Sequence, residues 1–216
     1  MKYLVHLLGF LGVVAAASAQ SSVLPPDGLL LVDAGKSPRA LPFIYASEVE
    51  TELVAKAAAL EHHSTVKTRV LQGKPGAIVL DLAGDSKVTA VTGDWIASWA
   101  VRSEQGASGA RQVLEILPKP TADGAAVPAE LVCRVEAANA ITSLPAEVAP
   151  ALLGIGRAAG FAARITLRGD GGVEPVVLAS DGLTASGPLD GPKLFLAQGS
   201  PSLKLQLATA GASAGV

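Results

Sequence analysis

Alternation of apolar and polar residues runs through the chain from residue 65 onward and predicts β-strands. The clearest example is residues 202–207, where three leucines alternate with polar side chains, which is the period of a strand with one face in water. Glycine- and proline-rich turns separate comparable runs. The predicted strands cover residues 65–71, 77–82, 87–92, 95–102, 111–117, 129–136, 161–167, 173–179 and 202–207. This rhythm is typical of an antiparallel β-sandwich.

Residues 46–63 fit two different structures. Helical spacing of three or four positions links four apolar residues: Val49, Leu53, Ala57 and Leu60. Ser47 and Glu50 match a capping box, and the alanines favour a helix. The competing strand would align Leu53 with alanines on one face. Propensity alone favours the helix, so we predict a mainly β protein of antiparallel sandwich units that includes at most one short helix.

Segments rich in proline, glycine and serine divide the chain. Residues 20–42 contain a turn at 25–28 and a candidate first strand at 29–32. Residues 139–160 interrupt the rhythm with two prolines and three glycines, and we interpret them as a crossover between two sheet units. The predicted organisation is a signal peptide at 1–19, an N-terminal linker or first strand at 20–42, a β-sandwich domain at 43–140, a second β unit at 141–207, complete or incomplete, and a flexible tail at 208–216.

The first twenty residues carry an export signal. Lys2 supplies a positive start, residues 4–16 are almost all apolar, and Ala17-Ser18-Ala19 provides the small residues that signal peptidase accepts. The apolar run is well short of the roughly 20 residues that a membrane-spanning helix needs. We therefore expect cleavage after Ala19, a periplasmic or secreted protein, and no transmembrane segment after cleavage.

Composition argues against several functional classes. The 17 basic and 19 acidic residues give a formal charge of -2, which argues against a nucleic-acid binder. Apolar residues form 50% of the chain, too many for an intrinsically disordered protein. The single cysteine, Cys133, excludes a disulfide scaffold and multi-cysteine zinc motifs. Its apolar neighbours at alternate positions predict that it is buried on the inner face of a strand.

Candidate catalytic groups are few. After loss of the signal peptide only His62 and His63 remain as histidines, and no Gly-x-Ser-x-Gly elbow occurs. Neighbouring side chains diverge on a strand or helix, so residues 61–63 make a poor metal site and are interpreted as a solvated polar patch. The glycines at 154–160 have the wrong spacing for a dinucleotide loop and precede a predicted strand. We predict no cofactor and no metal.

Acidic residues are the remaining source of acid–base chemistry, because a glycoside hydrolase needs two carboxyl groups across a cleft. Most of the candidates lie beside glycine or serine, where aspartate stabilises turns, and we interpret them as solvated turn residues. The candidates are Asp81, Asp85, Asp94, Glu104, Glu115, Asp170, Asp181 and Asp190.

Trp95 and Trp99 are the one candidate ligand platform. Four positions apart on a strand, they would point the same way, and exposed they could stack on a sugar ring. The chain is only 4% aromatic, which favours the alternative that both tryptophans anchor the core.

Several motifs are shared with a known group of proteins. A leucine-rich strand at 77–82 and a V-x-x-V-x-G motif at 88–93 lead to the tryptophan strand, and an R-x-x-G-F motif at 157–161 starts a new β unit. These motifs resemble the repeated β-sandwich region of large exported bacterial cell-envelope proteins of unknown function. The resemblance covers residues 42–180 and brings no catalytic residues. It implies that residues 46–63 are extended and that this chain is shorter than such proteins usually are.

Together these observations predict a non-catalytic exported envelope module with a structural or protein-interaction role. Its partner would be a protein or another cell-envelope component, docked for example on a sandwich edge, and not a nucleic acid. The first alternative is a carbohydrate-binding module that uses Trp95 and Trp99. The least favoured alternative is a carboxylate-based glycoside hydrolase.

Overall fold

The computed structural model describes residues 41–106, 109–120, 128–187 and 192–211, and these ranges contain twelve strands and no helix. The mainly β prediction is confirmed. The strands are β1 (Ile44–Ala55), β2 (Ala59–Gln72), β3 (Ile78–Ala83), β4 (Lys87–Thr92), β5 (Ile96–Gly106), β6 (Gly109–Pro118), β7 (Glu130–Ala140), β8 (Ala146–Val148), β9 (Leu152–Gly154), β10 (Gly160–Gly169), β11 (Val173–Ala185) and β12 (Lys193–Thr209).

Two sheets make up the fold. The larger has eight strands in the order β11-β12-β10-β1-β2-β7-β4, with β8 paired to β12, and the smaller has the order β5-β6-β3-β9. All pairs are antiparallel except β1 and β10, which run parallel from Ala46 opposite Gly160 to Ala55 opposite Gly169. A parallel pair needs a long crossover, and here the small sheet lies between the two strands in the chain.

The core lies between the sheets. Val49, Val66 and Cys133 of the large sheet pack with Leu80 and Leu114 of the small one. A second cluster of buried leucines lies toward β12, where Leu205 and Leu207 pack with Leu152 of β9. Because inner faces of two sheets share these clusters, the fold is a β-sandwich. Strands from both sides of residue 141 join the large sheet; the division into two β units at that point stays a prediction.

The helix favoured for residues 46–63 is wrong, and the extended alternative is right. Two strands, β1 and β2, occupy this stretch and pair with each other. The inner face of β1 includes Ser47 and Thr51, both buried. Their hydroxyl oxygens lie 3.2 Å from Thr68 Oγ1 and 2.9 Å from Ser64 Oγ. These cross-strand pairs satisfy the hydrogen-bonding groups of the buried hydroxyls. Because the inward-facing residues of β1 are therefore partly polar, a count of apolar residues alone misses the two-residue period of the strand.

Residues 139–160 leave the large sheet, contribute one strand to the small sheet and return to the large sheet; their interpretation as a crossover between two sheet units stays a prediction. Within them β8 pairs with β12 in the large sheet and β9 with β3 in the small sheet. Gly156 has a φ of 52°, and a Cβ there would lie 2.2 Å from the Val79 carbonyl oxygen. Only glycine lets the turn approach β3 this closely. Tyr45 contacts the same stretch of β3: its hydroxyl donates a hydrogen bond to the Val79 carbonyl oxygen and accepts one from the Val79 N–H, each at 2.9 Å.

The predicted signal peptide at 1–19, the candidate first strand at 29–32 and the last residues of the predicted tail lie outside the described residues. Within the part of the chain that the structure describes, no helix is long and apolar enough to cross a membrane.

Candidate functional site

A polar depression of about 600 Å³ lies on the outer face of the large sheet, across β10, β1, β2 and β7. Side chains there alternate with those that enter the core, so each strand presents every second residue. We call this depression the polar trough. Its outward-facing side chains are Glu50, Glu52, His63, Thr65, Arg134, Glu136, Arg164 and Thr166.

Strand register arranges the trough in two rows. The first row runs from Arg164 through Glu50 and Thr65 to Arg134. The second row runs parallel to it and contains Thr166, Glu52, His63 and Glu136. Adjacent strands lie about 4.8 Å apart, so the two arginines of the first row are separated by roughly 14 Å at the backbone.

Most carboxylates in and near the trough already have cationic partners. Glu52 Oε1 accepts a hydrogen bond from Arg168 Nε at 2.7 Å, which raises the pKa of Arg168. Glu50 lies 3.8 Å from Lys67 Nζ. Just outside the trough, a hydrogen bond from Lys56 lowers the pKa of Glu61. These pairs are solvent-exposed and contribute little to stability, but they reduce the local negative charge.

Unlike Glu50 and Glu52, the two arginines of the trough have no ion-pair partner in the described part of the chain. Among the described residues, neither Arg134 nor Arg164 lies within 4.0 Å of a carboxylate oxygen. Glu136 likewise has no cationic partner in that part of the chain. In the described part of the chain, two unpaired guanidinium groups therefore face solvent at the two ends of a row whose middle is Glu50 and Thr65, and the unpaired Glu136 lies in the second row. This arrangement suits an anionic or mixed-charge ligand, because guanidinium binds carboxylate and phosphate in a planar, bidentate way.

A serine, a histidine and an asparagine meet inside the sandwich. His62 is 2% exposed, and its Nε2 lies 3.0 Å from Asn139 Oδ1 and 3.4 Å from Ser86 Oγ. Its Nδ1 lies 3.3 Å from the Ala151 carbonyl oxygen. Burial lowers the pKa of His62. The expectation of a solvated patch at residues 61–63 is therefore wrong for His62, because it follows Leu60 on the inner face of β2.

The hydrogen-bond directions in this cluster differ from those of a catalytic triad. The Ser86 hydroxyl donates to Asn139 Oδ1 at 2.6 Å and accepts from the Ala151 N–H at 2.7 Å. In a triad the serine proton is directed at the imidazole and the third residue holds the opposite ring nitrogen. Here serine and asparagine share one nitrogen of His62. The cluster joins β2, the β3–β4 turn, β7 and the segment before β9, which is a structural role.

Cys133 is buried, as predicted, on the inner face of β7. Burial raises the pKa of its thiol to about 12. The thiolate is the nucleophilic form of cysteine, so this side chain is a core residue.

The acidic candidates fall into two groups. Asp85 lies in a bend and Asp94 in a turn, as expected, and Asp170 begins the turn before β11, where its carbonyl oxygen accepts a hydrogen bond from the Val173 N–H at 3.2 Å. The solvated-turn interpretation is wrong for the other four that the structure describes, because they lie within strands: Asp81, Glu104, Glu115 and Asp181. The first three of these also form ion pairs with arginine. Asp190 lies outside the described residues.

Two of these carboxylates belong to one charged network on the outer face of the small sheet. Arg111 bridges Asp81 and Glu104 at 2.8 and 3.3 Å, and Arg157 reaches Glu104 at 2.6 Å. Ser200 Oγ donates to the second oxygen of Asp81 at 2.5 Å. The network fastens the turn around Arg157 to the β5–β6 hairpin. Both carboxylates face guanidinium groups and not each other across a cleft, so this pair lacks the arrangement that glycoside hydrolysis needs.

Trp95 and Trp99 occupy different structural positions. Trp95 lies in the turn before β5, and its Nε1 donates to the Val132 carbonyl oxygen at 2.7 Å. Trp99 lies within β5, beyond a register shift between Ile96 and Ser98. Both are half-buried and pack against the core, which fits the core-anchor interpretation. Ligand binding by this pair stays a prediction.

Sequence reasoning missed both the trough and the buried His62 cluster. The trough depends on the pairing of β1 with β10, which are more than a hundred positions apart in the chain. The cluster had a local signal in the alternation of Leu60, His62, Ser64 and Val66, once small polar residues are accepted as inward-facing.

Comparisons with known proteins give little further information. No family model and no curated protein matches the chain. Among solved structures, it is similar to an M1 zinc metallopeptidase from Deinococcus radiodurans, with 16% identity and a TM-score of 0.28 over 78% of this chain and 43% of that one. Native yeast LTA4 hydrolase gives 11% identity and a TM-score of 0.38 over 81% and 31%. The chain thus spans less than half the length of these proteins, and likeness at this level carries no argument about its function.

Proposed function

We propose that this protein is an exported, non-catalytic module of the cell envelope that binds a partner through the polar trough. The observation that carries the proposal is the pair of unpaired guanidinium groups, Arg134 and Arg164, at opposite ends of one row in a depression of about 600 Å³. The partner is an envelope component, protein or otherwise, that presents anionic groups spaced along an extended surface.

The chemistry of the trough favours binding over turnover. Besides its two arginines, it presents threonine hydroxyls, the paired carboxylates of Glu50 and Glu52, the unpaired Glu136 and the side chain of His63. The groups best suited to nucleophilic catalysis lie elsewhere, since His62 and Cys133 are both buried in the core. Arginine and threonine side chains recognise anions by charge-assisted hydrogen bonds, and such contacts give electrostatic complementarity with a partner.

The proposal is tested by co-sedimentation with the cell-envelope fraction of the source cells, after endogenous protein has been washed away. The test variant is the double substitution Arg134→Gln/Arg164→Gln. The matched control is Arg69→Gln/Lys87→Gln, which removes the same charge from two exposed cationic side chains outside the trough. We expect binding to weaken at least about tenfold in the first variant only.

If the two double variants bind the envelope fraction equally well, the proposed binding role of the trough is overturned. Turnover of a glycan or peptide substrate by the purified chain, lost on a point substitution, would overturn the non-catalytic role. A protein that never sediments with the envelope fraction would contradict both the location and the binding.

A further inference from the structure

β5 forms one edge of the small sheet and has an open side. β6 pairs with it without interruption from Ser98 to Gly106. On the other side of β5, no strand pairs with it among the described residues. Alternate residues of an antiparallel strand direct their N–H and C=O groups away from the paired neighbour. This edge therefore presents a row of backbone donors and acceptors that no described strand pairs with.

The other three sheet edges carry features that discourage pairing. β11 contains Pro175 and has register shifts between Val177 and Ala179 and between Asp181 and Leu183. β4 has only six residues and one register shift, and β9 has three residues. Proline, bulges and short length are the common means by which proteins protect edges. β5 contains no proline, and its one shift lies at its start.

The charged side chains of β5 do not block the addition of a strand to its edge. Arg102 lies 2.8 Å from Glu115 of the adjacent strand, and Glu104 is held by Arg111 and Arg157. These ion pairs hold both side chains over the outer face of the small sheet, away from the open edge of β5. An edge charge that is committed to a neighbouring strand offers less repulsion to an incoming chain.

The opposite face of β5 is apolar over its first half and becomes polar at Ser103 and Gln105. Val101 is 41% exposed and lies opposite the buried Leu114, and the half-buried Trp99 lies opposite Ile116. An added strand would extend the core beside Trp99 and Val101 on one face. Its other face would meet Arg102 and Glu104.

We propose that the free edge of β5 binds an extended polypeptide strand with alternating apolar and polar residues, by addition to the small sheet. Backbone hydrogen bonds supply the contact along the edge, and the apolar side chains of the partner cover Val101 and Trp99. The inference rests on the proposed binding role but uses a surface separate from the trough, so each can fail without the other.

The experiment uses the full-length chain and a short synthetic peptide of alternating valine and threonine with lysine at both ends. The control peptide has proline in place of the central valine. Hydrogen exchange monitors residues 98–106, because unpaired edge amides exchange rapidly until a strand covers them. The variant Trp95→Phe leaves Trp99 as the only tryptophan, so its fluorescence gives a second, independent signal.

Two matched substitutions locate the site. Val101→Lys places a charge on the proposed edge, whereas Val132→Lys alters a valine of nearly the same exposure, 42%, on β7. We expect peptide-dependent protection of residues 98–106, a change in Trp99 emission, and at least about fivefold weaker binding for Val101→Lys alone. No protection at residues 98–106, or equal binding by the two lysine variants, would overturn the proposal.

Discussion

The substitution Ser86→Ala tests directly whether the buried Ser86–His62–Asn139 cluster is structural. Ser86 accepts a hydrogen bond from the Ala151 N–H at 2.7 Å and donates one to Asn139 Oδ1 at 2.6 Å. Alanine fits the space but provides neither bond. The Ala151 N–H loses the acceptor identified for it, whereas Asn139 Oδ1 keeps His62 Nε2 at 3.0 Å.

The size of the effect follows from these contacts. A buried donor left without an acceptor costs about 1–3 kcal/mol, and an ordinary hydrogen bond contributes roughly 1 kcal/mol. We therefore expect the free energy of unfolding to fall by about 2–4 kcal/mol, with a melting temperature lower by roughly 4–16 °C for a domain of this size. The control Ser103→Ala changes an exposed serine on β5 and should stay within about 0.5 kcal/mol of the parent protein.

Urea unfolding, followed by tryptophan fluorescence and circular dichroism, measures both variants. A loss below about 1 kcal/mol for Ser86→Ala would refute the assignment of a structural role. A protein of unchanged stability that loses turnover of an ester or peptide substrate would instead identify Ser86 as a nucleophile.

Three further predictions concern the buried histidine, the cysteine and the tryptophans. Burial lowers the pKa of His62 in the folded protein below the ordinary value of 6.5, so the unfolded chain binds the proton more strongly than the folded protein does. The free energy of unfolding should therefore fall as the pH drops below about 6.5. In urea titrations, His62→Gln should flatten this pH dependence. Cys133, whose thiol pKa is about 12, should resist iodoacetamide at pH 8 in the native protein and react in denaturant, as intact mass would record. A glycan panel should leave the emission of Trp95 and Trp99 unchanged, since both pack on the core; a shift would favour the carbohydrate-binding alternative.

The strands that could be predicted from sequence are those with apolar residues at every second position. β4 is found with its full bounds, and β7 is recognised from the alternation around Cys133. β1 is obscured because Ser47 and Thr51 face inward as a hydroxyl pair with β2. β8 and β9 have three residues each and lie between prolines and glycines, so no periodicity exists to detect.

The candidate site depends on long-range pairing that local pattern does not contain. Arg134 and Arg164 lie in β7 and β10, and they share one row only because β10 pairs with β1, β1 with β2 and β2 with β7. The same holds for the His62 cluster, whose members come from separate elements. Local sequence predicts which face of a strand is buried, whereas strand order decides which exposed residues become neighbours.

Arginine-selective labelling with phenylglyoxal, with and without the envelope fraction, tests the binding role of the trough most directly. We expect the envelope fraction to protect Arg134 and Arg164 from modification, as mass spectrometry would detect, while Arg69, which lies outside the trough, remains reactive. Equal labelling of all three arginines, or protection confined to Arg69, would contradict the binding role of the trough.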